Sequence, residues 1–421
     1  MTATRQAGHA ADDSPDYSTN PVSRSTFDEV MVPVYAPSAM VPVRASGLDL
    51  WDQNGRQYLD FTAGIGVTGL GHCAPHLVSV MHEQAQRLWH AGNAFTNEPV
   101  LQLARAFTEA TFAERVFVCN SGAEANEAAF KLARKYAHTV HNAGKSRIVS
   151  CFNAFHGRTL FTVSVGGQSK YTEGFEPLPP AIEHIPFNDA ASARAAIGDD
   201  VCAVVVEPVQ GEGGVLPADP EWLRLLRTLC DQSGALLIFD EVQCGMGRTG
   251  KLFAYMDYGV TPDILTTAKA LGNGYPVAAM LTTEKIATVF SAGVHGTTYG
   301  GNPLAGRIAL EVLRTIAQPG FLARVERASA LLVQRLEELV RDFPQVFHSV
   351  RGRGLMQGIV MAEAWKGRAK DVVAAALDEG LMVLIAGPDV VRLLPALVIS
   401  DAQIDEGCAR LRRAVQALAS A

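Results

Sequence analysis

No apolar run in this 421-residue chain approaches the length of a membrane span. Residues 1–26 also lack the apolar core of a secretory leader. They are rich in Ala, Ser, Asp, Thr and Asn, and the expectation is a loose, flexible tail. A disulfide framework is missing too. Seven cysteines, an odd number, are scattered at 73, 119, 151, 202, 230, 244 and 408, which suits a reducing compartment. Positive charge is not in excess: 36 Lys and Arg stand against 43 Asp and Glu, a net −7, so nucleic acid is not the expected partner. Only 19% of residues are charged while 48% are hydrophobic, the balance of a folded globular chain. There is no repeat at a fixed period. These absences leave a soluble, cytoplasmic protein, with no membrane partner, long enough for two lobes with large cores.

From about residue 100, helical and strand patterns alternate. In 100–111, Val100, Leu103, Ala104 and Phe107 recur at helical spacing. Short strands are predicted at 115–119, 148–151, 203–206 and 236–239, with helices over 123–141 and 222–233. The strands are continuously apolar rather than alternating, as in a parallel sheet buried on both faces. This is a doubly wound α/β pattern, with sites expected at the carboxyl ends of strands. After Pro319 the texture changes. A long charged helix over 321–342, strands near 346–351 and 355–361, another helix and a final one from Asp401 predict a smaller α+β domain. The expected division is a tail to 26, an N-terminal segment 27–70 packing on the small domain, a large domain 71–318 and a small domain 319–421.

Three motifs are weighed and set aside. GIGVTG at 64–69 fits G-x-G-x-x-G, but it leads into Gly71, His72 and Pro75 rather than opening a helix. GMGRTGK at 245–251 starts like a P-loop, but Leu252 stands where a magnesium-binding hydroxyl is needed. His72, Cys73 and His76 lack a second ligand pair at a typical spacing, so no metal is expected.

The run LLIFDEVQ at 236–243 raises a sharper question, because an apolar strand ends in two acids, Asp240 and Glu241. A carboxylate at a strand tip either meets solvent or faces a buried cation. A cofactor with a basic ring nitrogen would be such a cation, since a nearby carboxylate favours its protonated form. Pyridoxal phosphate is one, and it also needs a lysine and a phosphate site. Lys269 sits among Thr266, Thr267, Ala268, Ala270 and Leu271, surroundings in which a lysine can lose its proton more easily and act as a nucleophile, although taken alone a lysine snorkelling from an element end is the favoured reading. CNSGAEANEAAFKLAR at 119–134 turns from a strand into a helix, whose start is an anion site. There Ser121 and Glu124 also fit a capping box, which by itself would explain the serine.

Together NSGAEANEAAFKLARK, NAFHGRTLFTVSVGGQ, VVVEPVQGEGG, LLIFDEVQCGMGRTG, TTAKALGNGYP, HGTTYGGNPLA and VVRLLPAL, in this order, resemble the class III pyridoxal-phosphate aminotransferases of fold type I. Within them the likeness is greatest to the N-acylornithine transaminases, and it runs from about Phe27 to the C-terminal helix. The resemblance implies a large domain with a mostly parallel sheet flanked by helices, a smaller α+β domain and a homodimer with shared active sites. It implies that Lys269 links covalently to the cofactor and then moves a proton between substrate and cofactor. Asp240 would contact the pyridine nitrogen, Val242 and Phe155 the two ring faces, and Gln243 the phenolic oxygen. Ser121, Gly122 and Ala123 would hold the phosphate, with Thr298 reaching it from the other subunit. Arg158 resembles the arginine for a substrate carboxylate. Arg392 resembles the one for the α-carboxylate of glutamate or 2-oxoglutarate, and Glu212 the acid that pairs with Arg392 when an acylornithine is bound. Thr297 is a further substrate contact.

The chain departs from the family at Cys244, where threonine is frequent, at GNGYP in place of GGGFP, and at Ala123, which offers only backbone. None removes a needed functional group. Alternatives are 4-aminobutyrate or ornithine transamination, a nicotinamide oxidoreductase built on Gly64–Gly69, and a noncatalytic binding protein on the same scaffold.

Overall fold

The computed structural model describes residues 22–420. The expected tail falls mostly outside them, and a short helix, Arg24–Val30, crosses its predicted end at 26. Strands β1 (Pro42–Ser46), β2 (Asp49–Asp52) and β3 (Gln57–Asp60) form an antiparallel meander. β3 then pairs in parallel with Leu381–Met382 near the far end of the chain.

The central sheet holds β4 (Arg115–Cys119), β5 (Arg147–Cys151), β6 (Ile182–Ile185), β7 (Val201–Val206), β8 (Leu236–Asp240), β9 (Ile264–Thr267) and β10 (Ala278–Thr282). Their order is β4-β10-β9-β8-β7-β5-β6, and β10 is antiparallel to both its neighbours while the other pairings are parallel. Every residue of β7 and β8 is buried, which explains why their sequences show no alternation. Helix Gly122–Val140 covers one face with Ala125, Ala128, Ala129 and Ala133 turned inward, small side chains that let it approach the sheet closely. Helix Pro220–Ser233 starts at Asp219, whose carboxylate accepts the N–H groups of Glu221 and Trp222, and ends on a left-handed Gly234.

After helix Pro319–Asp342, an antiparallel sheet joins β11 (Phe347–Arg353), β12 (Met356–Met361), β13 (Leu384–Ile385) and β14 (Val390–Leu393) in the order β11-β12-β14-β13. Helix Asp401–Ser420 closes the chain. The N-terminal segment is stitched to this part. Phe61 N–H donates to Met382 C=O at 3.0 Å, and Leu394 and Leu397 N–H donate to Phe61 and Gly69 C=O at 2.7 Å each.

The motifs set aside stay ordinary in three dimensions. Gly64 and Ile65 are left-handed within a single turn, and the next helix begins only at Pro75. Residues 245–251 make turns, with Arg248 buried and donating to Leu355 and Pro395 C=O. His72 Nε2 lies 2.8 Å from Asp60 Oδ2 and serves as a structural contact. No described helix is long and apolar enough to cross a membrane.

Candidate active site

The carboxyl ends of β4, β5, β8 and β9 converge, as open α/β sheets place their ligand sites. They bring Ser121, Gly122, Ala123, Phe155, Arg158, Asp240, Val242 and Lys269 to the walls of one cavity of about 410 Å³.

β4 ends at Cys119 and the chain turns into helix Gly122–Val140 through its N-cap Ser121. Ser121 Oγ accepts the Glu124 N–H at 3.2 Å, and Glu124 returns a carboxylate to the Asn120 N–H at 2.9 Å. The cap settles the serine's local role. It leaves the Gly122 and Ala123 N–H groups, which no intrahelical carbonyl can reach, for an anion. Gly122 is needed for packing as well, since a Cβ there would come within 2.9 Å of Val242 Cγ1.

Asp240 does not meet solvent. It is 3% exposed; its Oδ2 lies 2.7 Å from His156 Nδ1 and accepts from Asn126 Nδ2 at 2.8 Å, and its Oδ1 accepts the Val242 N–H at 3.0 Å. Asn126 is itself fixed by the Thr266 hydroxyl at 2.8 Å. Burial alone would push the His156 imidazole down, but the hydrogen bond and charge of Asp240 prevail and hold it above its ordinary value. Its neighbour Glu241 has a different task. It is buried and accepts the N–H groups of Ala254 and Tyr255, and burial pushes it up to about 8.

Lys269 follows β9 by two residues and holds a left-handed φ of 46°, the kind of strain that collects at functional sites. Burial lowers its ammonium below the usual lysine value and the Arg392 guanidinium adds to this, against Glu212, Asp240 and Glu207. The amine is thereby poised to react.

Arg392, on β14, is 2% exposed and donates to Glu212 Oε1 at 2.5 Å and to Gln243 Oε1 at 3.1 Å. Burial pushes the Glu212 carboxyl up, yet Arg392 outweighs it and keeps it below its ordinary value. Gln243 thus stands with Arg392 and Glu212. Arg158 is exposed at the cavity mouth, its guanidinium 3.8 Å from the Tyr171 ring centre and 5.4 Å from that of Phe155. Among the described residues no carboxylate pairs with it. Thr297 does not line this cavity; its hydroxyl accepts from Asn120, which does, at 2.9 Å and donates to Glu124 at 3.0 Å. Thr298 is exposed outside this cavity, beside His90 and Asn93.

Sequence reasoning passed over Asn126, His156, Glu207 and Tyr171. Asn126 and His156 lie inside motifs quoted for other residues, one helical turn from Gly122 and one residue after Phe155. Buried Glu207 accepts the Phe155 and Gly211 N–H groups at 3.1 and 3.3 Å, and burial pushes it up to about 7 although His156 pulls the other way. Its signal was an acid directly following the apolar strand β7.

An anion-ready helix start, a buried carboxylate and a lysine on one cavity fit the phosphate, ring nitrogen and aldehyde of pyridoxal phosphate. Known proteins agree. Residues 31–415 match the family Aminotransferase class-III. The chain is 57% identical over 399 residues to acetylornithine aminotransferase 1 of Pseudomonas syringae, covering 95% of this chain and 98% of that one. It is 56% identical to succinylornithine transaminase/acetylornithine aminotransferase of Pseudomonas aeruginosa, covering 94% and 98%. The crystal structure of N-acetylornithine aminotransferase from Stenotrophomonas maltophilia superposes with a TM-score of 0.82 at 42% identity, covering 94% and 99%. The chain belongs to the class-III aminotransferases, enzymes whose cofactor is pyridoxal 5'-phosphate.

Proposed function

We propose that this enzyme moves the terminal (δ) amino group of an N2-acylornithine, acetyl or succinyl, to 2-oxoglutarate in arginine metabolism, giving the semialdehyde and L-glutamate. The observation that carries this reading is the Arg392–Glu212 pair, at 2.5 Å, beside Lys269, with Arg158 at the mouth and without a carboxylate partner among the described residues. Relatives named for acylornithines support it.

Bound pyridoxal phosphate supplies an aldehyde that takes the amino group and a ring that draws electrons from the reacting carbon. The residues do the rest. Ser121, Gly122 and Ala123 bind the phosphate. Val242 and Phe155 hold the ring faces, Gln243 the phenolic oxygen, and Asp240 keeps the ring nitrogen protonated. Lys269 carries the proton to and from the substrate carbon. Glu212 neutralises Arg392 while an acylornithine, which has no carboxylate near its reacting amine, occupies the site. Glutamate brings a carboxylate there and takes Arg392 from Glu212. Thr297, bonded to the cavity residue Asn120, is a further substrate contact. Thr298, outside its own chain's cavity, serves the partner's phosphate in a homodimer. The cytoplasm is the proposed compartment, in keeping with free thiols at every cysteine.

The direct test is steady-state kinetics on acetylornithine, succinylornithine, ornithine and 4-aminobutyrate with 2-oxoglutarate. One or both acylornithines should exceed the other two in kcat/KM by about tenfold or more. Preference for ornithine or 4-aminobutyrate would overturn the assignment.

The two arginines should separate in single-turnover kinetics followed by cofactor absorbance. Loss of a charge-assisted contact is worth about 1.5–3 kcal/mol, roughly ten- to a hundredfold. Arg392→Ala should slow the 2-oxoglutarate half-reaction by that factor and largely spare the acylornithine half-reaction. Arg158→Ala, removing the distal clamp, should slow both. Equal losses in both halves for Arg392→Ala would refute the exchange of partners at Arg392.

A further inference from the structure

Glu212 stands at the tip of a short hairpin, in which Val209–Gln210 pairs with Leu216–Pro217. A side chain at such a tip has wide freedom unless its backbone is held. Two anchors hold it. Glu207 Oε1 accepts the Gly211 N–H at 3.3 Å on the entering side. On the leaving side, Arg351 Nε donates to the Gly214 C=O at 2.8 Å. Arg351 comes from β11, where it lies opposite Gly358 of β12, and Gly358 in turn lies opposite Arg392 of β14. Residues directly opposite on neighbouring strands share a face. Arg351 and Arg392 therefore reach the hairpin from one side of one sheet, one to its backbone and one to its carboxylate. The fit at Gly214 is close: its φ is 110°, and a Cβ there would lie 2.5 Å from Arg351 Nη2. Among the described residues Arg351 has no carboxylate partner, so this carbonyl is what its half-buried guanidinium engages.

We infer that Arg351 is a positioning residue for substrate exchange: by clamping the Gly214 carbonyl it holds Glu212 against Arg392, and so sets the enzyme's balance between its two amino-group partners. The inference rests on the proposed role of the Arg392–Glu212 pair. Releasing the clamp lets Glu212 drift, and Arg392 is then freed for a carboxylate. Dicarboxylate binding gains, while the acylornithine step, which needs Arg392 neutralised, loses. A residue that merely stabilised the fold would weaken both.

The test uses the pyridoxal-phosphate holoenzyme and two readouts. One is the dissociation constant of glutarate, a five-carbon dicarboxylate with no amine, by calorimetry. The other is the single-turnover rate with the acylornithine. Arg351→Met keeps the apolar stem and removes the donor. Gly214→Ala displaces the guanidinium from the other side, so a folding failure in one variant leaves the other. Each should tighten glutarate by about three- to tenfold, the worth of one hydrogen bond, and slow the acylornithine step by a similar factor. Arg351→Lys, which keeps the charge and one donor, should lie between. Glu212→Gln is the reference and should shift both readouts the same way. If Glu212→Gln shifts neither, the Arg392–Glu212 reading fails and takes this one with it. If Glu212→Gln shifts both while the folded Arg351 and Gly214 variants shift neither, or weaken both readouts together, the role of Arg351 alone is overturned.

Discussion

Lys269→Ala should lower turnover by about ten-thousandfold or more, because the proposed covalent link to the cofactor and the proposed proton carrier are both removed. The fold should persist. The residue's φ of 46° is left-handed, but alanine and lysine both carry a Cβ, so the exchange leaves the backbone strain as it is. Burial also holds this ammonium below its usual pKa, so truncation relieves a desolvated group and breaks no ion pair among the described residues. The variant should therefore match the wild type in thermal unfolding without cofactor. It should still take up pyridoxal phosphate through the proposed phosphate and ring contacts, which do not involve Lys269. Borohydride treatment of the wild-type holoenzyme should fix pyridoxal phosphate to the peptide containing Lys269, seen by mass. A label on another lysine, or a Lys269→Ala enzyme that still turns over, would sink the assignment.

Much of this site could be read from the chain because its parts are local. The strand β4, the Ser121 cap and the helix behind it lie within one stretch, and the structure places them within a residue or two of the expected bounds. Asp240 ends the buried strand β8, whose unbroken apolarity from Leu236 to Phe239 is visible without knowing its neighbours, whereas β9 before Lys269 reads ILTT, which the pattern alone does not mark as a strand. What escaped depends on partners far apart in sequence. Strand β10, AAMLT, has weak strand propensity and is made a strand by lying between β4 and β9. Gln243 was assigned a ring contact, and only the folded chain brings Arg392, 149 residues later, against its amide. Glu241, adjacent to Asp240 and given no role from sequence, accepts backbone N–H groups 13 and 14 residues on. Asn126 and His156 could not be ranked above other polar residues until both proved to bond one carboxylate oxygen. A polar residue's function is set by what it faces, and facing is a tertiary property.

That shared oxygen gives the second large prediction its shape. Asp240→Asn preserves volume and removes the charge proposed to keep the cofactor's ring nitrogen protonated. The structure adds a conflict. Asp240 Oδ2 takes Asn126 Nδ2 and His156 Nδ1, and Oδ1 takes the Val242 N–H. An amide has one acceptor oxygen, so whichever way it is turned, its NH2 faces a donor. His156 also loses the partner that raises its pKa, so its cationic form is less favoured in the variant. With the electron sink weakened, removal of the substrate proton should become the slow step. The half-reaction rate with glutamate should fall by about a hundredfold or more, the scale of losing one preorganised electrostatic contact. α-Deuterated glutamate should then show an enlarged isotope effect, whereas a variant damaged only in substrate binding would show none beyond wild type. A Glu207→Gln enzyme supplies the contrast, since it alters a buried carboxylate near the same histidine without touching the ring nitrogen's partner. If Asp240→Asn leaves both rate and isotope effect unchanged, Asp240 is only the anchor on which Asn126 and His156 are hung, and the ring nitrogen must find its counter-charge elsewhere.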